Sequence, residues 1–248
     1  MRHFRFFIII LLYTNMLSCS FLNPTEDSGE YMEKTIELQP FNAIELNGIF
    51  HVVLINNSTH FITFKGGDNV YAAFSYSNNN LILQLEHDYS NWFHNLDIPT
   101  IEIYAPEIFS IHTLTSCNIS NRGTLKGNKF NILISEETHV AEINLSIDCS
   151  ELRFHSKGTP GCKITLQGKS DLAEYTLNGS TNIYASELES QNSRIGQNSL
   201  SDAHIWATDS LEVTFYNSGN VYYKGNPHIK VNRVQINNQK ASGQVLPQ

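Results

Sequence analysis

The feature that most constrains the fold is a repeat of short alternating segments in the second half of the chain. From Pro106 onward, apolar and polar residues alternate with a period of two, and each run ends in a polar turn and a β-branched residue. The closing residues recur 16 to 24 positions apart: Ile119, Val140, Ile164, Ile183, Ile205 and Val221. Alternation is typical of strands, and a repeat of about 20 residues predicts a stacked β-coil.

The segment before residue 106 alternates in the same way and predicts strands and hairpins. Asn47-Gly48 separates two alternating runs and predicts a hairpin that joins residues 44–46 to 49–55. Residues 70–76 and 81–85 predict a second hairpin around a polar turn. Helical periodicity is almost absent after residue 33, so we expect an all-β fold, a β-solenoid-like stack of short strands with a β-rich N-terminal portion. A β-sandwich, whose short strands also alternate, is the alternative.

The first nineteen residues predict export and lipid attachment. Arg2 and Arg5 flank the start of an apolar run at residues 6–12, and the segment ends in Leu17-Ser18-Cys19. These features form a secretory signal, and the run is shorter than the about 20 apolar residues of a membrane-spanning helix. The cysteine after Leu-Ser resembles the lipobox of bacterial lipoproteins, which implies lipidation of Cys19. An ordinary cleaved signal with an incidental cysteine and an uncleaved anchor are the alternatives.

These signals divide the chain into four predicted parts. They are a lipoprotein-type signal peptide (1–18), a polar tether (19–33), a β domain (34–230, with an N-terminal β portion at 34–105 and a repeat portion at 106–230) and a C-terminal tail (231–248).

The charge balance argues against nucleic acid as a partner. The chain has 16 Lys and Arg against 24 Asp and Glu, and it lacks the basic cluster that a phosphate backbone requires. The predicted partners are the membrane, through the N-terminal lipid, and a glycan or surface protein. The sequence is compatible with an oligomer, and no cofactor is expected.

Three cysteines follow Cys19, and the repeat restricts their pairing. Cys117 and Cys162 occupy equivalent positions two units apart, with Thr138 between them. Units spaced about 4.8 Å would separate these Cα atoms by about 9.6 Å, beyond the about 7 Å that a disulfide tolerates. Cys149 and Cys162 are then the predicted pair. No C-x-x-C spacing supports a zinc or redox motif.

Two stretches resemble a known family. Residues 41–54 (FNAIELNGIFHVVL) and 218–227 (SGNVYYKGNP) are similar to the opening F-x-x-I-x-x-x-G-x-F-x-V and the closing V-x-Y-x-G-x-P of the auto-transporter adhesin family with the head GIN domain. The family's glycine-rich turns are replaced here at residues 116–118, 137–139 and 201–203. The resemblance covers about residues 34–230. It implies a right-handed, solenoid-like β-fold in a secreted or lipid-anchored cell-surface protein, and it implies no catalytic residues.

The sequence contains no recognisable catalytic motif. The patterns G-x-S-x-G, H-E-x-x-H and the P-loop are missing, and the isolated histidines predict no metal site. Glu151, Glu174 and Glu212 occupy similar outward strand positions, which fits a solvated face or the carboxylates of a polysaccharide-active enzyme. We therefore predict a non-enzymatic cell-envelope lipoprotein with a binding or adhesion-type domain. A polysaccharide lyase or hydrolase on a β-helix and an envelope structural or assembly protein are the alternatives.

The longest irregular stretch, residues 87–99, holds the candidate ligand contacts. They are Tyr89, Trp92, Phe93 and His94. Stacked aromatic rings bind the faces of sugars. The alternative is a loop that packs back over one end of the coil, where unpaired edge groups would otherwise be exposed.

Overall fold

The computed structural model describes residues 28–87, 97–236 and 239–248, so Cys19 and the predicted contacts Tyr89, Trp92, Phe93 and His94 lie outside the described residues. Of the described residues, 70% lie in strands and 2% in a helix, and they form a β-solenoid of about 6 turns. The all-β solenoid prediction is therefore confirmed, and the β-sandwich alternative is wrong. Among the described residues, no helix is both long and apolar enough to cross a bilayer.

Nineteen strands and one short helix make up the described chain. They are β1 (Tyr31–Glu37), β2 (Ala43–Asn47), β3 (His51–Asn56), β4 (Phe61–Gly67), α1 (Asp68–Ala72), β5 (Phe74–Asn79), β6 (Ile82–His87), β7 (Thr100–Ala105), β8 (Ser110–Thr113), β9 (Cys117–Arg122), β10 (Leu125–Ile134), β11 (Val140–Ser156), β12 (Gly161–Gly179), β13 (Asn182–Ser199), β14 (Ala203–Phe215), β15 (Val221–Lys224), β16 (His228–Arg233), β17 (Gln235–Ile236), β18 (Gln239–Lys240) and β19 (Val245–Pro247).

Three parallel ladders run along the solenoid. The first ladder stacks β7, β3, β9, the beginnings of β11 to β14, β15 and β19. The second ladder stacks the beginning of β10 on the middles of β11, β12 and β13. The third ladder stacks β6, β2, β8, the ends of β10 to β14 and β16. A long strand such as β11 or β12 contributes to all three ladders and so makes most of one turn.

Inward-facing side chains form continuous columns that build the core. The first ladder contributes a fully buried column of Ile119, Ile143, Ile164, Ile183, Ala203 and Val221. The third ladder contributes Ile111, Ile132, Phe154, Tyr175, Ile195 and Val213. Each rung buries apolar surface against the rungs on either side, and this burial is the main source of stability in such a stack.

The first column corrects two of the predicted repeat positions. Ile143, and not Val140, is in register with Ile119 and Ile164, and Val140 is 59% exposed. Ala203, and not Ile205, aligns with Ile183. Because Val140 and the following Ala141 are both apolar, alternation alone does not decide which of them points inward.

The hairpin predicted at Asn47-Gly48 is wrong. β2 pairs in parallel with β6 and β8, whereas β3 pairs in parallel with β7 and β9. Residues 47–50 are therefore a corner between two ladders. A Cβ at Gly48 would lie 2.7 Å from the ring of Phe50, and the Gly48 amide donates to Oγ1 of Thr115 at 2.8 Å. Close packing, and not a hairpin turn, explains this glycine.

The second predicted hairpin is present in a shorter form. β5 and β6 pair antiparallel, with Asn79 opposite Ile82. The two turn residues, Asn80 and Leu81, have φ values of 52° and 65°, as a two-residue hairpin turn requires. The first part of the predicted strand at 70–76 is instead the end of α1.

Buried hydroxyl groups hold the corners where the family resemblance led us to expect glycine-rich turns. Oγ1 of Thr138 donates to the carbonyl oxygen of Thr113 at 3.0 Å. The amide of Ser201 donates to Oγ of Ser199 at 3.0 Å, and that hydroxyl in turn donates to the carbonyl oxygen of Thr181 at 3.0 Å. An unpaired buried backbone group is costly. These bonds pair the polar backbone groups of the turns, so the turns need no glycine with a positive φ.

Residues 231–248, which the sequence predicts as a C-terminal tail, include strands that stack on the solenoid. β16 stacks on β14 and β19 stacks on β15. At this end, the Arg233 guanidinium lies 4.8 Å from the centre of the Phe215 ring and donates to the carbonyl oxygen of Ala241 at 3.2 Å. At the N-terminal end, β1 begins at Tyr31, three residues before the predicted start of the β domain at residue 34.

All three cysteines of the domain are buried, free thiols. Cys117, Ala141 and Cys162 are consecutive in the first ladder, so Ala141 stands where Thr138 was expected. Cys149 lies in the second ladder opposite Ser170. The predicted Cys149–Cys162 disulfide is therefore absent, because the two residues belong to different ladders. Burial raises the pKa of Cys149 to about 11, so this thiol stays protonated and unreactive.

Candidate functional site

A column of alternating charges runs up the outer face of the third ladder. Its members are in register: Arg153, Glu174, Arg194, Glu212 and Lys230. Glu174 accepts from Arg153 Nε at 3.0 Å and from Arg194 Nη1 at 2.9 Å. Lys230 Nζ lies 2.6 Å from Glu212 Oε1. The column forms because in-register parallel stacking places equivalent residues of successive strands above one another, and alternate residues face outward.

A groove lies between this column and the neighbouring column of Thr176, Gly196 and Thr214, in which Gly196 has no side chain. We call it the Gly196 groove, and its volume is about 360 Å³. Its polar lining consists of Glu174, Thr176, Arg194, Gly196, Glu212, Thr214 and Tyr216. Thr176, Gly196 and Thr214 are in register, so Gly196 leaves a gap between two threonines. A Cβ at Gly196 would lie 3.9 Å from Cε2 of Tyr216, and the ring of this 43% exposed tyrosine forms one wall.

Cationic neighbours lower the pKa of two carboxyl groups in or near the groove, Glu212 and Glu151. The Lys230 ammonium beside Glu212 holds the pKa of that carboxyl below its usual range. Lys230 and Asn232 both donate to Oε1 of Glu212, and among the described residues its Oε2 has no hydrogen-bond donor. Lys129 likewise lowers the pKa of Glu151, which lies in the neighbouring column. Of the three glutamates noted in the sequence, Glu174 and Glu212 thus share the groove and Glu151 does not.

A second outward feature, a column of aromatic rings, lies on the first ladder. His204 is stacked between Tyr184 and Tyr222, with ring centres 5.5 and 4.9 Å away. Beside it, the Lys224 ammonium lies 3.8 Å from the centre of the Trp206 ring. The two tyrosine rings cover both faces of the His204 ring. The sequence alone did not predict this column.

A buried carboxylate in the N-terminal portion has a structural role. Glu102 lies 3.2 Å from Lys65 Nζ and 2.9 Å from Arg122 Nη2, and it accepts from the Tyr104 hydroxyl at 2.8 Å. Burial acts to raise the pKa of Glu102, but the bonds from Tyr104, Lys65 and Arg122 outweigh it and hold the pKa below its usual range. The network joins β4, β7 and β9. No group of three His, Cys, Asp or Glu side chains within the described residues is placed to hold a metal ion.

The fold and surface define a class of protein: a β-solenoid with a polar, grooved exterior, suited to binding. The model of the family described as "Putative auto-transporter adhesin, head GIN domain" matches residues 40–227. The chain belongs to this family, which confirms the resemblance found in the sequence and supports a binding or adhesion-type β domain at the cell surface or envelope.

Solved structures agree with this fold. A "putative adhesin" from Bacteroides fragilis is 20% identical, with a TM-score of 0.80 over 90% of this chain and 100% of that one. A "putative adhesin" from Parabacteroides distasonis is 14% identical, with a TM-score of 0.66 over 90% and 99% of the two chains. A "putative lipid binding protein" from Parabacteroides distasonis is 15% identical, with a TM-score of 0.61 over 90% and 96%. Among curated proteins, none matches this sequence.

Proposed function

We propose that this protein is an exported lipoprotein of the bacterial cell envelope, anchored through Cys19, whose solenoid binds a surface partner without catalysing a reaction. Family membership supports a binding domain at the cell surface. The signal-like residues 1–18 and the lipobox-like Cys19 support export and anchoring. Several acyl chains, each contributing about 0.8 kcal/mol per buried CH₂, would hold the chain stably on a membrane.

The observation that carries the non-enzymatic part of the proposal is the state of the outer carboxylates. Glycoside hydrolysis uses one carboxylic acid that stays protonated and one carboxylate that is ionised. In the Gly196 groove, Glu174 is bonded to two arginines, and the pKa of Glu212 is lowered by Lys230. Two carboxylates that are each paired with a cation suit binding better than proton transfer.

Binding of the detergent-purified full chain to immobilised glycans and matrix proteins tests the proposal. We expect saturable binding to at least one glycan or protein and no shortening of any bound glycan. If the protein bound none of these glycans and proteins, or if it cleaved a glycan, the proposed function would be contradicted.

Lipid anchoring through Cys19 predicts a clear change in location. In a bacterial host that processes lipoproteins, Cys19→Ala should abolish labelling of the protein with radioactive palmitate and release it from the membrane fraction. Cys149→Ala is the matched control, since it removes a thiol inside the domain and should leave labelling unchanged. A Cys19→Ala protein that is still labelled, or that remains in membranes, would show that the anchor is not there.

A further inference from the structure

We propose that the Gly196 groove binds a neutral oligosaccharide, with Tyr216 against a sugar ring and the groove's carboxylate, guanidinium and hydroxyl groups bonded to sugar hydroxyls. This inference rests on the proposed binding function and names its site and ligand class.

The groove is long enough along the solenoid to hold more than one sugar ring. It spans the rungs of Glu174, Arg194 and Glu212, which is about 10 Å along the solenoid at about 4.8 Å per rung. Its lining residues come from three successive rungs, and Gly196 leaves it open where a side chain would otherwise project. A linear chain of sugar rings fits such a slot, because its long axis can follow the stacked rungs.

The groove presents both hydrogen-bond donors and hydrogen-bond acceptors. Glu174 and Glu212 accept hydrogen bonds, Arg194 donates them, and the Thr176 and Thr214 hydroxyls do both. Sugar hydroxyls also donate and accept, so one ligand can satisfy all of these groups. Oε2 of Glu212, which no described residue bonds, is placed to accept from such a hydroxyl.

The charges favour a neutral ligand over an ionic one. Arg194 stands between Glu174 and Glu212 in the column. An anionic polymer would therefore be repelled by two carboxylates, and a cationic polymer would be repelled by the guanidinium. A neutral ligand leaves the Arg194–Glu174 and Lys230–Glu212 pairs intact. A protein partner is disfavoured too, because the centres of protein interfaces are depleted in charged residues.

Tyr216 supplies the hydrophobic contact that sugar binding needs. Its amide donates to the Gln197 carbonyl oxygen at 2.9 Å, which fixes the residue at the end of β14 beside Gly196. Aromatic rings give amphipathic ligands a large contact area at low entropic cost.

Filling the Gly196 gap tests the site without touching a polar group. A Cβ added at Gly196 would have no neighbouring atom nearer than 3.9 Å, so Gly196→Leu should fold and place its side chain in the groove. Gly161→Leu is the matched control: it lies on an outer strand position, and its Cβ would have only the His139 carbonyl oxygen near, at 3.6 Å. Tyr216→Ala is the second variant and removes the ring wall.

The probes are immobilised cellotetraose, mannotetraose, chitotetraose, a heparin tetrasaccharide, collagen and fibronectin, tested with the detergent-purified full chain. We expect binding to at least one neutral tetrasaccharide, a loss of at least tenfold in affinity in Gly196→Leu and in Tyr216→Ala, and less than a twofold change in Gly161→Leu. Unchanged affinity in Gly196→Leu would overturn the site. Binding only to heparin, collagen or fibronectin would overturn the ligand class and leave the binding function standing, whereas binding to none of the probes would count against both.

Discussion

Gly168→Ala should lower the free energy of unfolding by about 2 to 4 kcal/mol, a large effect for the replacement of one hydrogen by a methyl group. Gly168 lies in β12 where the second ladder begins to stack on β11, and its φ is +116°. A Cβ there would lie 2.0 Å from the carbonyl oxygen of Ile147. The substitution therefore combines an unfavourable backbone conformation with a clash against the backbone of the next turn, and neither can relax without opening the ladder.

Gly161→Ala is the matched control in the same strand. Gly161 has an ordinary φ, and its Cβ would lie 3.6 Å from the nearest neighbouring atom, the His139 carbonyl oxygen. Alanine there restricts the unfolded chain and should raise stability by about 0.4 to 1 kcal/mol. Urea unfolding followed by circular dichroism measures both variants. Equal stability of the two would mean that the corner at Gly168 does not have the described geometry.

The solenoid could be predicted because its signal is local. Alternation of apolar and polar residues is visible in any short window, and each long strand from β11 to β14 repeats it. The buried columns through Ile164 and Phe154 follow directly from that pattern. Composition and alternation also excluded a helical fold, and 2% of the described residues are helical.

Strand pairing could not be predicted, because it depends on contacts far apart in the chain. Asn47-Gly48 is a strong local hairpin signal, yet β2 finds its partners at Ile82–His87 and Ser110–Thr113. The Phe50 ring and the Thr115 hydroxyl hold this corner. A rule that considers only the two turn residues takes no account of these contacts. Tertiary packing overrides the local preference here.

The sequence predicted only part of the candidate site, because the site also depends on how distant strands pair. The sequence indicated that Glu174 and Glu212 face outward, but their common column depends on the register of β13 between them. The register of β13 against β14 shifts between Ala185 and Glu189, and such irregularities have no reliable sequence signal. The same shift hid the column of Tyr184, His204 and Tyr222, whose spacings of 20 and 18 residues follow no constant repeat.

Alanine substitutions in β11 distinguish the structural register from the one that the repeat predicts. Ile143 is fully buried in the first ladder between Ile119 and Ile164, so Ile143→Ala should lower the free energy of unfolding by about 2 to 5 kcal/mol through lost burial and a residual cavity. Val140 is 59% exposed, so Val140→Ala should change it by no more than about 0.5 kcal/mol. The repeat read from the sequence, which points Val140 inward, predicts a large cost at Val140. Urea titration of both variants decides between the registers, and a cost at Val140 equal to or above that at Ile143 would refute the stacking of β11 on β9 and β12.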